Sequence, residues 1–248
     1  MLSIITVINN REVYHQYLKP SLEKQTGVDF EVVEIDNSGN RFDSLYEAYR
    51  SAEERIRGDR VLFVHPDVVF LNPSDLADYL ERADRSREAD PDCVLWGVAG
   101  AKQGEQKEIV TKILQGPEKQ KRDAGFDGRG VENVQTVDAC CFLMSRETYR
   151  QYGFCEEIKG FHLLAEELCL RIAARNQKVC VLPVTLWHLS PGASLDYRYY
   201  LAVLKVFRLH PEIDWLCTTS YYWVRRTETF MRLKYYAARN YVHHKLKA

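Results

Sequence analysis

The sequence predicts an α/β fold: a doubly wound, mixed but mostly parallel sheet over residues 1–195, then an aromatic and basic helical extension over residues 196–248. Three observations predict it. Apolar, β-branched runs alternate with segments of helical periodicity in the order strand, helix, strand, helix, strand. Each of these runs ends in a polar cluster: Asn9-Asn10, Asp36-Asn37-Ser38 and His65-Pro66-Asp67. The third run, Val61 to Phe70, is apolar on both sides of a single carboxylate, as in a strand buried on both faces.

Taken in order, Leu2 to Ile8 is a strand with Asn9-Asn10 as its loop. Val13 to Lys24 reads as a helix, with Val13, Tyr17, Leu18, Ser21 and Leu22 on one face. Phe30 to Ile35 is the second strand. Ser44 to Arg57 is the second helix, with Leu45, Ala48, Tyr49, Ala52 and Ile56 at helical spacing. The strand beginning at Val61 completes two β-α-β units, whose crossovers are right-handed. Pro73 to Arg85 is a third helix, capped by Asn72 or Ser74. Cys93 to Ala101 is another buried strand.

Lys102 to Gly130 is rich in charge and glycine. It is expected to form a long surface excursion, a candidate flap over the site. Val131 to Ser145 is expected as a strand carrying Asp138, and Arg146 to Tyr152 as a short helix. A helix begins near Leu164. Val179 to Val184 is a strand leading to Trp187-His188. From Arg225 to Ala248 seven Lys or Arg face one acid, Glu228. Phe230, Leu233, Ala237, Tyr241 and His244 recur there at helical spacing. This helix either packs its apolar stripe on the domain or meets a membrane surface or a partner.

Composition sets the outer bounds. The chain has 248 residues, 46% hydrophobic and 28% charged, which suits one large globular domain or one domain with an extension. Its net charge of −1 gives no electrostatic case for binding nucleic acid. Seven cysteines without metal-type spacing read as reduced, mostly buried thiols of a cytoplasmic protein. Met1 to Ile8 has no basic n-region and reads as a strand rather than a signal peptide. No apolar run approaches the roughly 20 residues of a membrane span.

Ligands of open α/β sheets bind at the carboxyl ends of the strands. Asp67 therefore either handles a metal or phosphate or caps a turn. Asp36 either accepts from a ribose or base or serves an Asx-turn. Glu166 and Glu167, in the first turn of their helix, either complement its dipole or do chemistry. His188 is either a packed histidine or a ligand.

The ordered set Ser3 to Asn10, Asp36-Asn37-Ser38, Phe63 to Val68, Gly160-Phe161-His162, Leu168 to Arg171 and Trp187 to Ser194 resembles family-2 glycosyltransferases of the GT-A fold, a Rossmann-like α/β architecture. It looks nearest to the bacterial branch whose metal loop reads His-Gln-Asp-Val. The resemblance implies a metal-dependent, inverting transfer of a sugar from a nucleotide-sugar, a UDP-sugar foremost, to a glycan or lipid-linked acceptor. A divalent cation, Mn²⁺ or Mg²⁺, would neutralise the leaving diphosphate. By resemblance Asp67 and His188 hold the metal. Thr6, Ile8, Asn9, Asp36, Ser38, His65 and Asp138 serve the nucleotide-sugar.

Three departures stand out. Where relatives read His-X-X-Asp-X-Asp, this chain has Ala165 and Glu167, so Glu167, or Glu166 beside it, is expected as the base. Arg50 stands where relatives often carry Asn, either near the diphosphate or simply exposed. Pro66 replaces Gln and stiffens the metal loop. Ala165 also supports an alternative, a weak or inactive module of the same fold that binds a nucleotide-sugar or a partner. A sugar nucleotidyltransferase is set aside, because Val7 to Arg11 lacks the glycines of a phosphate loop. The expected location is cytoplasmic, with peripheral contact at the inner face of the membrane through the basic tail.

Overall fold

A computed structural model describes residues 1–126, 130–190 and 195–247. Pro191 to Ser194, the end of the stretch that carries the resemblance, lies outside the described residues. The chain begins with β1 (Leu2–Ile8), α1 (Arg11–Gln16), α2 (Leu18–Leu22), β2 (Phe30–Asp36) and α3 (Leu45–Ser51). β3 (Arg60–Val64), β4 (Val68–Phe70), α4 (Asp75–Ala89), β5 (Cys93–Gly97) and β6 (Ala99–Ala101) follow. Short strands β7 (Ile109–Thr111), β8 (Leu114–Gln115) and β9 (Gln120–Lys121) lead to β10 (Glu132–Val134), β11 (Thr136–Val137) and β12 (Cys141–Ser145). Next come α5 (Arg146–Tyr152), α6 (Leu164–Ala173), β13 (Lys178–Val181) and β14 (Leu186–His188). The tail holds α7 (Tyr197–Leu209), the hairpin β15 (Trp215–Cys217) and β16 (Tyr222–Val224), and α8 (Thr227–Lys247).

The central sheet has the order β10-β13-β5-β12-β3-β1-β2. β1 pairs in parallel with β2 and β3, and β5 with β13, while β10 and β12 run the other way. The sheet is therefore mixed and mostly one-directional. Its strands bury both faces. Ile5, Val7, Val61 and Phe63 enter one core with α3, α5, α6 and α7. Leu2, Ile4, Ile8, Leu62 and Val64 enter the other with α1, α2 and α4. The near-continuous apolar runs follow from this two-sided burial.

Several boundaries differ from those expected. The first helix breaks at Tyr17 into α1 and α2, because Pro20 has no N–H for the carbonyl of Gln16 and its ring crowds that carbonyl. α3 stops at Ser51, and Glu53–Arg55 tightens into a 3₁₀ turn. Neither Asn72 nor Ser74 caps α4 through its side chain. Asp75 instead reaches back to the N–H groups of Leu71 and Asn72. The expected strand Cys93–Ala101 divides at Val98, since β6 leaves the main sheet to pair with β7 and β11. Val131–Ser145 likewise resolves into β10, β11 and β12, and Asp138 lies in the connection between the last two.

The Lys102–Gly130 excursion is structured where described, and Val110, Thr111 and Ile113 are buried. Cys93 and Cys180 sit on the adjacent strands β5 and β13 and are joined by a disulfide, so the expectation of seven reduced cysteines is corrected at this pair. The other five are free thiols. The tail shares the first core through Val203, Val206, Phe207, Leu216 and Leu233. No helix among the described residues is long and apolar enough to cross a membrane.

Candidate active site

The site forms where the chain leaves the main sheet. After Val64 the backbone turns through His65-Pro66-Asp67 and re-enters a strand as β4, which pairs with β14 rather than with the main sheet. In that register Val68 faces His188. Two residues 121 positions apart, Asp67 and His188, are thereby brought together: His188 Nε2 lies 3.4 Å from Asp67 Oδ1. The backbone fixes the aspartate, since Ser190 N donates to Oδ2 at 3.0 Å and Leu189 N donates to the Asp67 carbonyl at 3.1 Å. His65 completes the group, held by its own N–H to the Cys140 carbonyl at 2.9 Å. Ligand atoms of His65, Asp67 and His188 all lie within 4.8 Å of one another.

Electrostatics tie these groups together. Burial works against ionisation of Asp67, but the His188 imidazole outweighs it and holds the carboxyl below its usual range. Burial also disfavours a charged His188, yet Asp67 and Asp138 raise its pKa. Burial, reinforced by His188, lowers His65. Among the described residues, buried His188 Nε2 has no hydrogen-bond partner and stands at ion-pair distance from Asp67. A buried ring nitrogen aimed at a carboxylate, with a second imidazole beside it, is a donor set that suits a divalent metal ion. These residues fit the group the resemblance implies.

A cavity of about 1040 Å³ opens from this cluster. Val7, Asn9 and Asn10 line it from the end of β1. Asn10 caps α1 by accepting from Glu12 N and Val13 N, and Asn9 accepts from Asn37 Nδ2 at 2.9 Å. Asp138 lines the cavity too. Its Oδ1 accepts from Cys140 N and its Oδ2 from the Thr219 hydroxyl. Burial pushes the Asp138 pKa up, but His188 and these two donors bring it below the ordinary value.

Glu166 enters the cavity from the first turn of α6. Its Oε2 is buried and has no hydrogen-bond partner among the described residues. Desolvation, helped by the nearby Asp138 charge, raises its pKa to about 8. The helix start is set by Leu163, which holds the left-handed conformation (φ 63°) that bulky residues rarely adopt.

Other predicted residues lie elsewhere. Glu167 is 1% exposed and turned away from the cavity. It takes two hydrogen bonds from Arg171 Nε, at 2.8 and 3.0 Å, and stands 3.3 Å from His210 Nε2. Thr6 and Ile8 are buried in the sheet and do not line the cavity, because along β1 the alternation turns Val7 and Asn9 inward instead. Asp36 and Ser38 stand exposed at the end of β2. There Asp36 pairs with Arg11 and accepts from the Ser38 hydroxyl, in the Asx-turn arrangement. Arg50 is exposed and donates to the Tyr46 hydroxyl.

The sequence reading missed the contribution of the tail. Residues Thr218 to Tyr221, at the turn of the β15–β16 hairpin, form part of the cavity wall together with Tyr199, and His162 joins them from the loop before α6. Gln135 clamps the hairpin by bonding to Trp215 O and Cys217 N. Lys107 Nζ donates to Ser220 O at 2.7 Å. The only sequence signal for this wall was the sudden aromatic density after Asp196.

No protein-family model matches the chain, and no curated protein matches it in sequence. Solved structures do resemble it. A mannosyltransferase from Pyrobaculum calidifontis in complex with GDP-Man and Mn²⁺ aligns over 95% of this chain and 69% of its own, with a TM-score of 0.58 and 11% identity. GalNAc-T7 with UDP, GalNAc and Mn²⁺ aligns over 84% of this chain and 47% of its own, with a TM-score of 0.59 and 11% identity. Residues 1–349 of S. aureus TarS in complex with UDP-GlcNAc align over 86% of this chain and 67% of that one, with a TM-score of 0.56 and 14% identity. The mixed α/β sheet of this chain, with its cavity at the strand ends, is the GT-A architecture of these glycosyltransferases.

Proposed function

We propose that the chain is a metal-dependent, inverting glycosyltransferase that moves a sugar from a nucleotide-sugar to a hydroxyl of a glycan or lipid-linked acceptor. The observation that carries this reading is Glu166. A buried carboxyl oxygen of raised pKa, without a hydrogen-bond partner among the described residues, opens into the same cavity as the His65, Asp67 and His188 cluster. Paired titratable groups with displaced pKa values in one cleft are the mark of acid–base chemistry. Solved structures with this fold that hold a nucleotide-sugar, or its nucleotide and sugar, together with Mn²⁺ add support.

The roles follow from placement. Asp67, His188 and His65 would hold Mn²⁺ or Mg²⁺. When bound, that cation neutralises charge on the departing diphosphate. Asn9 and Asn10 flank the nucleotide at the end of β1. Asp138, fixed by Thr219 and Cys140 N, has lone pairs left to accept from hydroxyls of the donor sugar and so orient it. The acceptor oxygen attacks the anomeric carbon from the side opposite the diphosphate. As the new C–O bond forms and the bond to the diphosphate breaks, the acceptor's proton passes to Glu166 Oε2. One displacement needs one base and no protein nucleophile, so configuration inverts. Asp36 and Ser38 receive no role, because Arg11 and the turn occupy them.

The test is nucleotide release from a panel of UDP- and GDP-sugars with Mn²⁺, with and without saccharide acceptors. One donor should turn over, Asp67→Ala should abolish turnover, and the product anomer should be inverted by NMR. Donor binding by calorimetry with no turnover under any acceptor would instead identify a binding module.

A further inference from the structure

We propose that α8 carries a second functional surface, a docking face for an anionic lipid bilayer. It lies on the side of the helix opposite the stripe that packs on the domain. This inference stands apart from the reaction proposed above, since none of its residues lines the site cavity.

The apolar row legible in the sequence is used up in folding. Leu233 and Ala237 are buried, Phe230 packs edge-on against Phe207, and Tyr241 against Tyr197. A second row is not used. Met231 is 60% exposed, Tyr235 62%, Val242 56% and Leu246 80%. With exposed Ala238 they recur at spacings of 4, 3, 4 and 4 residues. At 3.6 residues per turn these five fall within an arc of roughly 80°. Leaving four large apolar side chains on one line in water is unfavourable and marks a contact surface.

Charge identifies the occupant. Lys234 and Lys245 run along one edge of the row, and Arg232 and Arg239 along the other; all four are exposed. Among the described residues none of them pairs with a carboxylate, and Glu228 is the only acid on the helix. An apolar stripe flanked on both sides by cations matches an interface in which acyl chains lie between anionic headgroups. A second copy of the helix fits badly, because it would set these cations against one another. The helix is also placed to dock, as Val242, His243, Lys245 and Leu246 stand exposed near its end.

The test is co-sedimentation of the full chain with vesicles of phosphatidylcholine alone and of phosphatidylcholine with 30% phosphatidylglycerol. The expected result is binding to the anionic vesicles only, weakened at least tenfold by 0.5 M salt. The double variant Tyr235→Glu/Leu246→Glu should lose at least tenfold in binding, and Lys234→Glu/Arg239→Glu/Lys245→Glu at least as much. Because these side chains are exposed, melting temperatures should stay unchanged. Wild type remaining in the supernatant with both vesicle types would overturn the proposal, as would equal binding by wild type and both variants. A concentration-dependent dimer in sedimentation velocity, abolished by Tyr235→Glu/Leu246→Glu, would also overturn it and assign the face to self-association. Nucleotide release, measured in parallel without vesicles, is independent of these outcomes.

Discussion

Glu166 and Glu167 are neighbours in the first turn of α6, yet they face opposite worlds. Glu166 enters the cavity with an Oε2 that is unbonded among the described residues, whereas Glu167 is clasped by Arg171 and His210. One residue step on a helix is a rotation of about 100°. That step separates a group free to take a proton from one committed to structure. Glu166→Gln keeps shape and removes the base, so transfer should fall about 10²–10⁴-fold while donor affinity holds. Single-turnover kinetics and calorimetry on the variant check both halves.

Glu167→Gln should do the reverse. The carboxylate balances Arg171, whose other nitrogens bond the carbonyls of Tyr152 and Gly153, and the His210 ring. Burial disfavours a charged His210, but Glu167 and then Glu212 raise its pKa. Losing the buried charge should cost about 2–4 kcal/mol in urea unfolding, with transfer per folded molecule retained. A stable Glu167→Gln variant without transfer would return the base to that residue.

The parallel half of the fold was legible because each strand and helix announces itself over its own ten residues. Alternation of Leu2 to Ile8 with the helical spacing of Leu45, Ala48 and Tyr49 needs no distant partner. Strand switching at Val98 and the β4–β14 pairing were hidden, since both depend on residues far along the chain. Asp67 and His188 could be named as a pair only through the resemblance. The third ligand candidate, His65, emerged when β4 turned out of the sheet and placed all three together. Thr219 closing on Asp138 across 81 positions left no local trace at all.

A pH dependence follows from Glu166. Desolvation first, and Asp138 second, raise its pKa from 4.5 to about 8 in the folded chain. A group raised on folding stabilises the native state below its unfolded pKa, and that stability is lost as pH rises from about 4.5 through 8. At about 1.4 kcal/mol per pH unit, the loss is at most about 5 kcal/mol. Glu166→Gln, which cannot ionise, should therefore melt higher than wild type by a margin that grows from pH 5 to pH 8.5. Transfer has the matching sign: the base must be ionised, so kcat/KM of wild type should climb with pH toward about 8 and then level. A flat melting difference across this window would place the Glu166 pKa near its ordinary value.

Metal binding has a readout that needs no substrate. An ion that binds only the folded chain stabilises it by about 2.7 kcal/mol at a hundredfold excess over Kd. Mn²⁺ should raise the melting temperature of wild type, and the increment should vanish in Asp67→Asn and His188→Gln. His65→Gln should shrink it, because that ring contributes one of the three clustered ligand atoms. Comparing each variant with and without Mn²⁺ cancels whatever the substitution does to the Asp67–Ser190 contact. An equal increment in all four proteins would place the ion elsewhere.

Gly100 couples the frame to the site. A Cβ at this position would sit 2.6 Å from the Thr136 carbonyl oxygen and 2.7 Å from Val181 Cγ2. The first of these is backbone, which cannot swing aside. β11 must therefore move, and Asp138 follows it directly, held to β6 by its N–H to Ala99 O at 2.9 Å. Gly100→Ala should cost about 2–4 kcal/mol in urea unfolding. It should also weaken donor binding, because displacing Asp138 breaks its bond to Thr219 and opens the hairpin wall of the cavity. Gly39→Ala is the matched control: its Cβ meets nothing within 4 Å and its φ is not in the left-handed region. There the smaller freedom of the unfolded chain should leave stability unchanged or raise it by up to about 1 kcal/mol. If Gly100→Ala loses stability but binds donor as wild type does, Asp138 does not position the sugar.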